Sequence, residues 1–295
     1  MSQRVSLEAL NKANEPEFVR LLDGVFEHAS WAAQAAFAAR PYPTVTALHD
    51  ALMAAVRAVP RRDQIAFVQA HPDLAGKAAR AGKVTPESAS EQASLGLDRL
   101  SNEDFARFEK LNAVYRDKFG FPFVICVRRQ TRDAILDAFE CRLSNNAEAE
   151  LAAALDEIGY ITRLRIVERV EGAGAPAVTG RLSTHVLDTY HGRPAAGVAL
   201  ELFELGKSER ARIAHAATNQ DGRTDQPLIA GAPLRAGTYE LHFHIGDYFR
   251  TCAVALPTEP FLSVVPIRFG ISEPEGHYHV PLVATPWSYS TYRGS

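Results

Sequence analysis

The chain has little cysteine, methionine or tryptophan: three, two and two among 295 residues. The cysteines, Cys126, Cys141 and Cys252, are odd in number and show no paired spacing, so neither a disulfide framework nor a zinc ribbon is expected. A reducing compartment, the cytoplasm, fits this usage. Charge of one sign is also missing. Lys and Arg number 32 against 35 Asp and Glu, a net charge of −3 with no basic face, which argues against nucleic acid as a partner. No apolar run approaches the ~18 residues that span a bilayer, so no membrane is expected either. The first residues, from Met1 to Glu8, carry no apolar signal core, and the last, Tyr292-Arg-Gly-Ser295, are not a peroxisomal Ser-Lys-Leu address. What is present is ordinary for a soluble globular chain: 46% apolar and 23% charged, at a length that suggests two domains.

Glycine and proline show where the chain divides. Residues 1–170 hold 6 Gly and 7 Pro amid long Ala-rich periodic runs, and residues 171–295 hold 13 and 10 amid short alternating runs. Between them Glu171-Gly-Ala-Gly-Ala-Pro-Ala-Val-Thr-Gly180 reads as a flexible linker. The expected organisation is therefore a helical domain over 1–170, a linker over 171–180 and a β domain over 181–295.

In the first half, Asn14-Glu-Pro-Glu17 is a helix start, with an Asn cap, Pro in the first turn and acids at the positive dipole end. Ser30, Thr44 and Ser101 open further helices, Pro60 and Gly120 are stops, and 133–143 and 147–170 are helical in period. No convincing strand is visible, so the half reads as an all-α helical bundle.

Three segments break the helical rule. In Ala70-His-Pro-Asp-Leu-Ala-Gly-Lys77, Pro72 biases His71 away from the α region and sets its imidazole at a helix end, where its pKa can be tuned for proton transfer. A plain turn before a helix is the common reading of such a motif alone. In Thr85-Pro-Glu-Ser-Ala-Ser-Glu-Gln92, Ser88 or Ser90 would cap a helix whose first turn holds Glu91 and Gln92. Lys118-Phe-Gly-Phe-Pro-Phe-Val-Ile-Cys-Val127 reads as a buried extended segment whose backbone groups need partners, or as a loop packed under the bundle.

Together these segments, with Leu111-Asn-x-x-Tyr115 and Ile158-Gly-Tyr-Ile-Thr-Arg-Leu-Arg165, resemble the family of decarboxylases acting on 2-oxo-4-hydroxy-4-carboxy-5-ureidoimidazoline (OHCU), from about Leu10 to Arg169. The resemblance implies that His71 is a catalytic acid/base, with Glu91 beside it. It implies that Pro72, Ser88, Gln92, Arg165 and the segment Phe123, Val124, Ile125, Cys126 and Val127 line the substrate. Arg165 can hold a carboxylate by paired donors, and Glu91 can accept from ureido N–H groups. The electron pair left by CO2 is delocalised into the ring carbonyl and C=N system, so no cofactor is implied.

The second half reads as strands at 181–190, 198–205, 212–217, 237–245, 264–271 and 277–283, with a short helix near 247–252 and a final strand near 288–293. Asp221-Gly222 is a turn signal. The pattern suggests a two-sheet sandwich. Seven of the ten histidines lie here. His242-x-His244 and His277-x-His279 each place two imidazoles on one side of a strand. With His185 they can be read as a metal site, although no carboxylate or Cys completes the ligands. Alternatively two imidazoles activate water while Arg223 orients the substrate.

Leu182-Ser-Thr-His-Val-Leu-Asp-Thr, Gly192-Arg-Pro-Ala195, Thr218-Asn-x-Asp-Gly-Arg223, His277-Tyr-His-Val-Pro-Leu282 and the terminal Tyr292-Arg-Gly-Ser295 resemble the transthyretin-like 5-hydroxyisourate hydrolases over 181–295. By that resemblance His185, Arg223, His279 and Ser295 are the polar catalytic set, Tyr292 and Arg293 belong to a tail that folds into the site, and no metal is implied. The two resemblances name consecutive reactions, hydrolysis and then decarboxylation, with only small molecules as substrates. They also imply a homo-oligomer, tetrameric through the β half and dimeric through the α half. The alternative is a chain in which one half alone is active and the other is a carrier or scaffold.

Overall fold

The computed structural model describes residues 4–76, 83–207 and 209–294. The chain forms two compact units, Met1–Arg128 with Ile135–Val178, and Arg129–Ala134 with Thr179–Ser295.

In the first unit the helices are α1 (Leu7–Lys12), α2 (Glu15–Leu21), α3 (Ser30–Phe37), α4 (Val45–Ala58), α5 (Arg61–Gln69), α6 (Pro86–Ala93), α7 (Asn102–Phe119), α8 (Arg132–Arg142, whose first turn groups with the second unit) and α9 (Ala147–Arg169). Side-chain oxygens of Ser6, Asn14, Thr44, Ser101 and Asn146 accept backbone N–H groups at helix starts. Each such cap stabilises its helix by about 1 kcal/mol. Gly120 ends α7 at φ +77°, a left-handed conformation that suits glycine.

The core joins Leu10, Phe18, Leu48, Leu52 and Val56 to the buried faces of α7, α8 and α9. Beneath α7 the non-helical run 121–126 supplies Phe121 and Phe123, and Phe123 stacks on Phe139 at 3.8 Å between ring centroids. Burying one such ring contributes on the order of 1.5–3 kcal/mol, which holds this irregular segment in place.

The half is not purely helical. Residues β1 (Val5–Ser6) and β2 (Val170–Glu171) pair in parallel, Val5 opposite Val170. Two residues are too few to show the alternation by which a strand is read from sequence. The presumed linker is also fastened at its start. The Ala173 and Gly174 carbonyls accept N–H groups of Val45 and Thr46 at 3.0 and 3.1 Å, so residues through Val178 group with the helical unit.

The second unit packs two four-stranded sheets. One has the order β10-β9-β3-β4 and the other β6-β5-β7-β8. The strands are β3 (Arg181–Asp188), β4 (Arg193–Pro194), β5 (Ala199–Leu205), β6 (Arg210–Ala217), β7 (Gly237–Phe243), β8 (Val265–Ile271), β9 (His277–Ala284) and β10 (Tyr289–Thr291), with α10 (Ile245–Thr251) following β7. The architecture is the two-sheet sandwich expected. Leu182, Val186, Leu200, Leu202, Leu241, Phe243, Val280 and Leu282 fill the space between the sheets. Strands β3 and β9 run parallel with Ser183 opposite His279 and His185 opposite Pro281. Because Leu182, Thr184 and Val186 point inward, Ser183 and His185 point to the outer face. Tyr278 and Val280 likewise leave His277 and His279 outside. Register alone thus puts His185 and His279 on one surface.

Candidate active sites

The helical unit encloses a cleft lined by His71, Pro72, Ser88, Glu91, Gln92, Phe123, Val124, Ile125, Val127 and Arg165, together with Leu74 and Ile161. Ten of the eleven positions expected in this half therefore converge from four separate stretches of chain. Cys126 is the exception: its side chain is buried elsewhere, and its N–H donates to Glu157 Oε2 at 2.8 Å.

Two side chains shape the turn that carries His71. Gln92 Oε1 accepts the Ala75 N–H at 2.9 Å, and Asn112 Nδ2 donates to the Leu74 carbonyl at 2.9 Å. His71 itself follows α5, with its Nδ1 3.3 Å from the Phe67 carbonyl. A carbonyl only accepts, so Nδ1 carries the proton and Nε2 is left with a lone pair. Burial pushes the imidazole pKa down to about 4; the Glu27 carboxylate pulls it up, and Arg165 adds to the lowering. His71 is therefore neutral at physiological pH and able to accept a proton.

Helix α6 begins differently from the expectation. Thr85, not Ser88 or Ser90, is its cap, with Pro86 as the first helical residue. A Thr followed by Pro satisfies the cap and the first turn together, which a serine inside the helix cannot. Glu91 and Gln92 consequently fall in the last turn of α6.

Arg165, on α9 one turn after Ile161, is the centre of the polar network. Its Nε and Nη2 each donate to Glu91 at 2.8 Å, and its Nη1 donates to Glu27 Oε2 at 3.1 Å. Burial opposes its charge, but the two carboxylates outweigh that and raise its pKa. The paired donors expected to face a substrate are thus occupied by Glu91. Glu27 was not singled out from the sequence, because an acid between two helices ordinarily reads as solvated. Here its side chain is 2% exposed. Burial would raise its carboxyl, but the Thr85 hydroxyl and Arg165 hold it below the usual range.

The second site lies on the outer face of the β10-β9-β3-β4 sheet. Asn219 Oδ1 accepts the N–H groups of Asp221 and Arg223, closing the Asp221-Gly222 turn. Gly222 is required there: at φ +72° an added Cβ would lie 2.4 Å from the Val186 carbonyl oxygen. The turn brings Arg223 to a β-bridge with His185. His185 Nε2 is buried without a hydrogen-bond partner among the described residues. Its pKa is lowered by burial and then by Arg223. The His279 pKa is lowered by burial, then by Arg223 and His185. Both imidazoles therefore favour the neutral form.

Ser183, which the sequence reading passed over, holds His279 Nδ1 at 3.0 Å and His277 Nε2 at 3.2 Å through one hydroxyl. Its position two residues before His185 on a strand was the available signal. The C-terminal tail closes over His279. The Gly294 N–H donates to the His279 carbonyl at 2.9 Å, and Tyr292 and Arg293 line a cleft with His279 and Tyr278. Ser295 lies outside the described residues.

Among the described residues the histidines do not gather into one metal centre. His242 pairs with Glu240 at 2.8 Å and His244 with Glu201 at 3.2 Å, on the other sheet. Elsewhere Asp188, His191 and Cys252 bring donor atoms within 4.8 Å of one another. The Asp188 oxygens already accept two backbone N–H groups, the Tyr248 hydroxyl and His191 Nδ1. That arrangement caps a turn and holds α10 without requiring an ion.

Compared with known proteins, the family model for OHCU decarboxylase matches residues 11–167, and that for the HIUase/Transthyretin family matches residues 182–294. A 5-hydroxyisourate hydrolase of Rhizobium meliloti (strain 1021) is 56% identical over 117 residues, 40% of this chain and 98% of that protein. A 2-oxo-4-hydroxy-4-carboxy-5-ureidoimidazoline decarboxylase of Haloferax volcanii is 37% identical over 165 residues, 56% of this chain and 96% of that protein. The crystal structure of an (S)-allantoin synthase matches with a TM-score of 0.53 at 32% identity, covering 99% of this chain and 100% of that one.

Proposed function

The chain belongs to the OHCU decarboxylase family over its first half and to the HIUase/Transthyretin family over its second, and on that footing we propose how its two sites work. The protein is a bifunctional enzyme of urate catabolism. Its β half hydrolyses 5-hydroxyisourate to OHCU, and its helical half decarboxylates OHCU to (S)-allantoin.

In the helical half, neutral His71 takes the proton of the substrate's hydroxyl through Nε2. As CO2 departs, the bond pair forms a carbon–carbon double bond in the ring, the C=N pair moves to nitrogen, and that nitrogen takes a proton from solvent. The enolate oxygen then becomes a carbonyl as His71 returns its proton to the neighbouring ring carbon, on the one face it reaches, which fixes a single enantiomer of the product. Arg165 holds the substrate's carboxylate, Glu91 accepts from ureido N–H groups, and Ser88, Gln92 and the 123–127 backbone shape the remaining wall. In the β half, a neutral imidazole of the His185–His279 pair takes a proton from water as its oxygen attacks the cyclic carbonyl. Arg223 opposes the charge that builds on oxygen, and the leaving nitrogen is protonated in turn. Tyr292, Arg293 and Ser295 close that site.

One observation carries this reading: each half assembles a histidine whose surroundings keep it neutral beside an arginine suited to an anionic or oxyanionic substrate. The domain limits we favour remain 1–170 and 181–295. We propose assembly as a homo-oligomer, tetrameric through the β half and dimeric through the α half; exposed Trp287, Tyr289 and Tyr292, the last lining the His279 cleft, support the β-half contact. Among the described residues no helix is long and apolar enough to cross a membrane. A cytoplasmic site of action is the reading favoured by a cysteine count that is low and odd.

The test is a pair of single substitutions in the intact chain, followed by ultraviolet absorbance for ring opening and circular dichroism for allantoin. His71→Ala should abolish decarboxylation and leave ring opening intact; His279→Ala should do the reverse. With OHCU supplied by separately added hydrolase for the decarboxylation assay, loss of both activities from either change, with the fold retained, would contradict two independent sites.

A further inference from the structure

We propose that Glu27 is a positioning residue of the decarboxylase site: it anchors one edge of Arg165 while the other edge exchanges Glu91 for the substrate's carboxylate. The inference rests on the decarboxylase reading and deepens it.

A guanidinium offers two edges. In Arg165 the Nη1 end donates to Glu27 Oε2 at 3.1 Å and faces the Gly24 carbonyl at 3.4 Å. The Nε–Nη2 edge grips Glu91 with two bonds of 2.8 Å. The two carboxylates differ in access. The Glu91 side chain is 14% exposed and lines both the His71 cleft and a second, outer cleft with Glu87, Ser90 and Arg128. The Glu27 side chain lines neither, and is 2% exposed. Only Glu91 can be displaced by a ligand arriving through either cleft.

Charge gives the exchange its direction. One guanidinium between two carboxylates leaves a surplus negative charge beside neutral His71. An anionic ligand entering that environment is repelled unless it replaces one of the acids on Arg165. Exchange at the Nε–Nη2 edge keeps Arg165 doubly paired and releases Glu91 with free acceptor oxygens for the substrate's N–H groups. Arg165 need not move, because Glu27 still holds it. The same Glu27 carboxylate also accepts the hydroxyls of Thr85 at 2.5 Å and Ser88 at 3.2 Å. It thereby ties the start of α6, which carries Ser88, Glu91 and Gln92, to the segment after α2. Gly24 contributes at φ +79°, where an added Cβ would lie 2.6 Å from Glu87 Oε1.

The test uses Glu27→Gln, which keeps volume and loses charge, with Arg165→Lys and the double variant, all in the intact chain. Ring opening by the β half is the internal control for folding and concentration. Glu27→Gln should lower kcat/KM for decarboxylation by about tenfold or more, as expected for a buried charge-assisted bond, and leave ring opening unchanged. The charged groups that act on His71 are Glu27, from the segment after α2, and Arg165, from α9, and Glu91, from α6, lines the same cleft. Without the Glu27 charge the acid limb of decarboxylation should move to lower pH, a readout that a scaffold role would not shift. In the Arg165→Lys background Glu27→Gln should add little, since it acts through the guanidinium. Wild-type kcat/KM in Glu27→Gln, full additivity with Arg165→Lys, or a parallel fall in ring opening would each overturn the anchoring role. A wild-type chain that opens the ring but does not decarboxylate would overturn the decarboxylase reading instead.

Discussion

The pH dependence of decarboxylation tests the His71 environment most directly. Burial brings its pKa from the ordinary 6.5 to about 4, against the pull of Glu27. At pH 5.5 a solvent-exposed histidine would be about 90% protonated, whereas a group at about 4 would be only about 3% protonated. If neutral His71 is the base, kcat/KM, which reports the free enzyme, should hold through pH 5.5 and halve only near pH 4. The same shift has a consequence for stability. A histidine held neutral in the fold favours folding fully above pH 6.5, where the unfolded chain is also neutral. As pH falls from 6.5 towards 4 the unfolded chain takes up a proton that the fold refuses, and about 3 kcal/mol of stability is lost. The measurement is allantoin formation by circular dichroism from pH 4 to 8. Separately added hydrolase keeps ring opening from limiting the rate, and far-ultraviolet dichroism monitors the fold. A halving of kcat/KM near pH 6.5 with the fold intact would refute the reasoning, because it would place the working imidazole in a water-like environment.

Three further outcomes are expected. Ser183→Ala should lower kcat for ring opening about tenfold and leave decarboxylation alone, because one hydroxyl fixes both His279 Nδ1 and His277 Nε2; steady-state kinetics of both reactions check it. Gly294→Ala should impair ring opening with little loss of stability, because an added Cβ would lie 2.6 Å from His279 Cδ2 and push the tail away; a thermal melt beside the ring-opening assay separates the two effects. Chelator should leave both rates unchanged, since both mechanisms run on side-chain acids and bases. Chelator-sensitive hydrolysis, restored by zinc, would reinstate a metal role for the β-half histidines.

Much of this was legible because the sites are made of local motifs at chain irregularities. The Pro after His71, the Phe-rich run after Gly120 and the Asp221-Gly222 turn interrupt regular elements; the first two bring their residues into one cleft, and the third brings Arg223 to His185. Strand alternation also predicted that His277 and His279 share a face, and register then added His185. Other features were hidden for physical reasons. The cap of α6 was misplaced because several hydroxyl residues compete within six positions, and the choice turned on Pro86. The β1–β2 pair is shorter than any periodicity. Glu27 could not be found from its own neighbours, since its meaning comes from Arg165, 138 residues away. Cys126 shows the converse. A motif can be read correctly as a segment, yet one of its N–H groups is taken by Glu157 rather than left for a ligand.

The two sites manage charge in opposite ways. In the helical half, carboxylates and a guanidinium are buried together, and such a cluster is stable only while every charge is paired. That condition is met at the Nε–Nη2 edge of Arg165 by Glu91, in the place we propose for the substrate's carboxylate. It also makes binding selective, since a neutral ligand of the same shape could not repay the broken Arg165–Glu91 pair. In the β half the histidines lie on an outward sheet face, with Arg223 bridged to His185. Two neighbouring bases there stay neutral because burial and the adjacent cation both disfavour a proton. A surface-borne site gains its dry environment from what covers it, first the Tyr292–Gly294 tail and then, in the assembly we propose, another copy of the chain. Decarboxylation should therefore be insensitive to dissociation of the β half, whereas ring opening should depend on it.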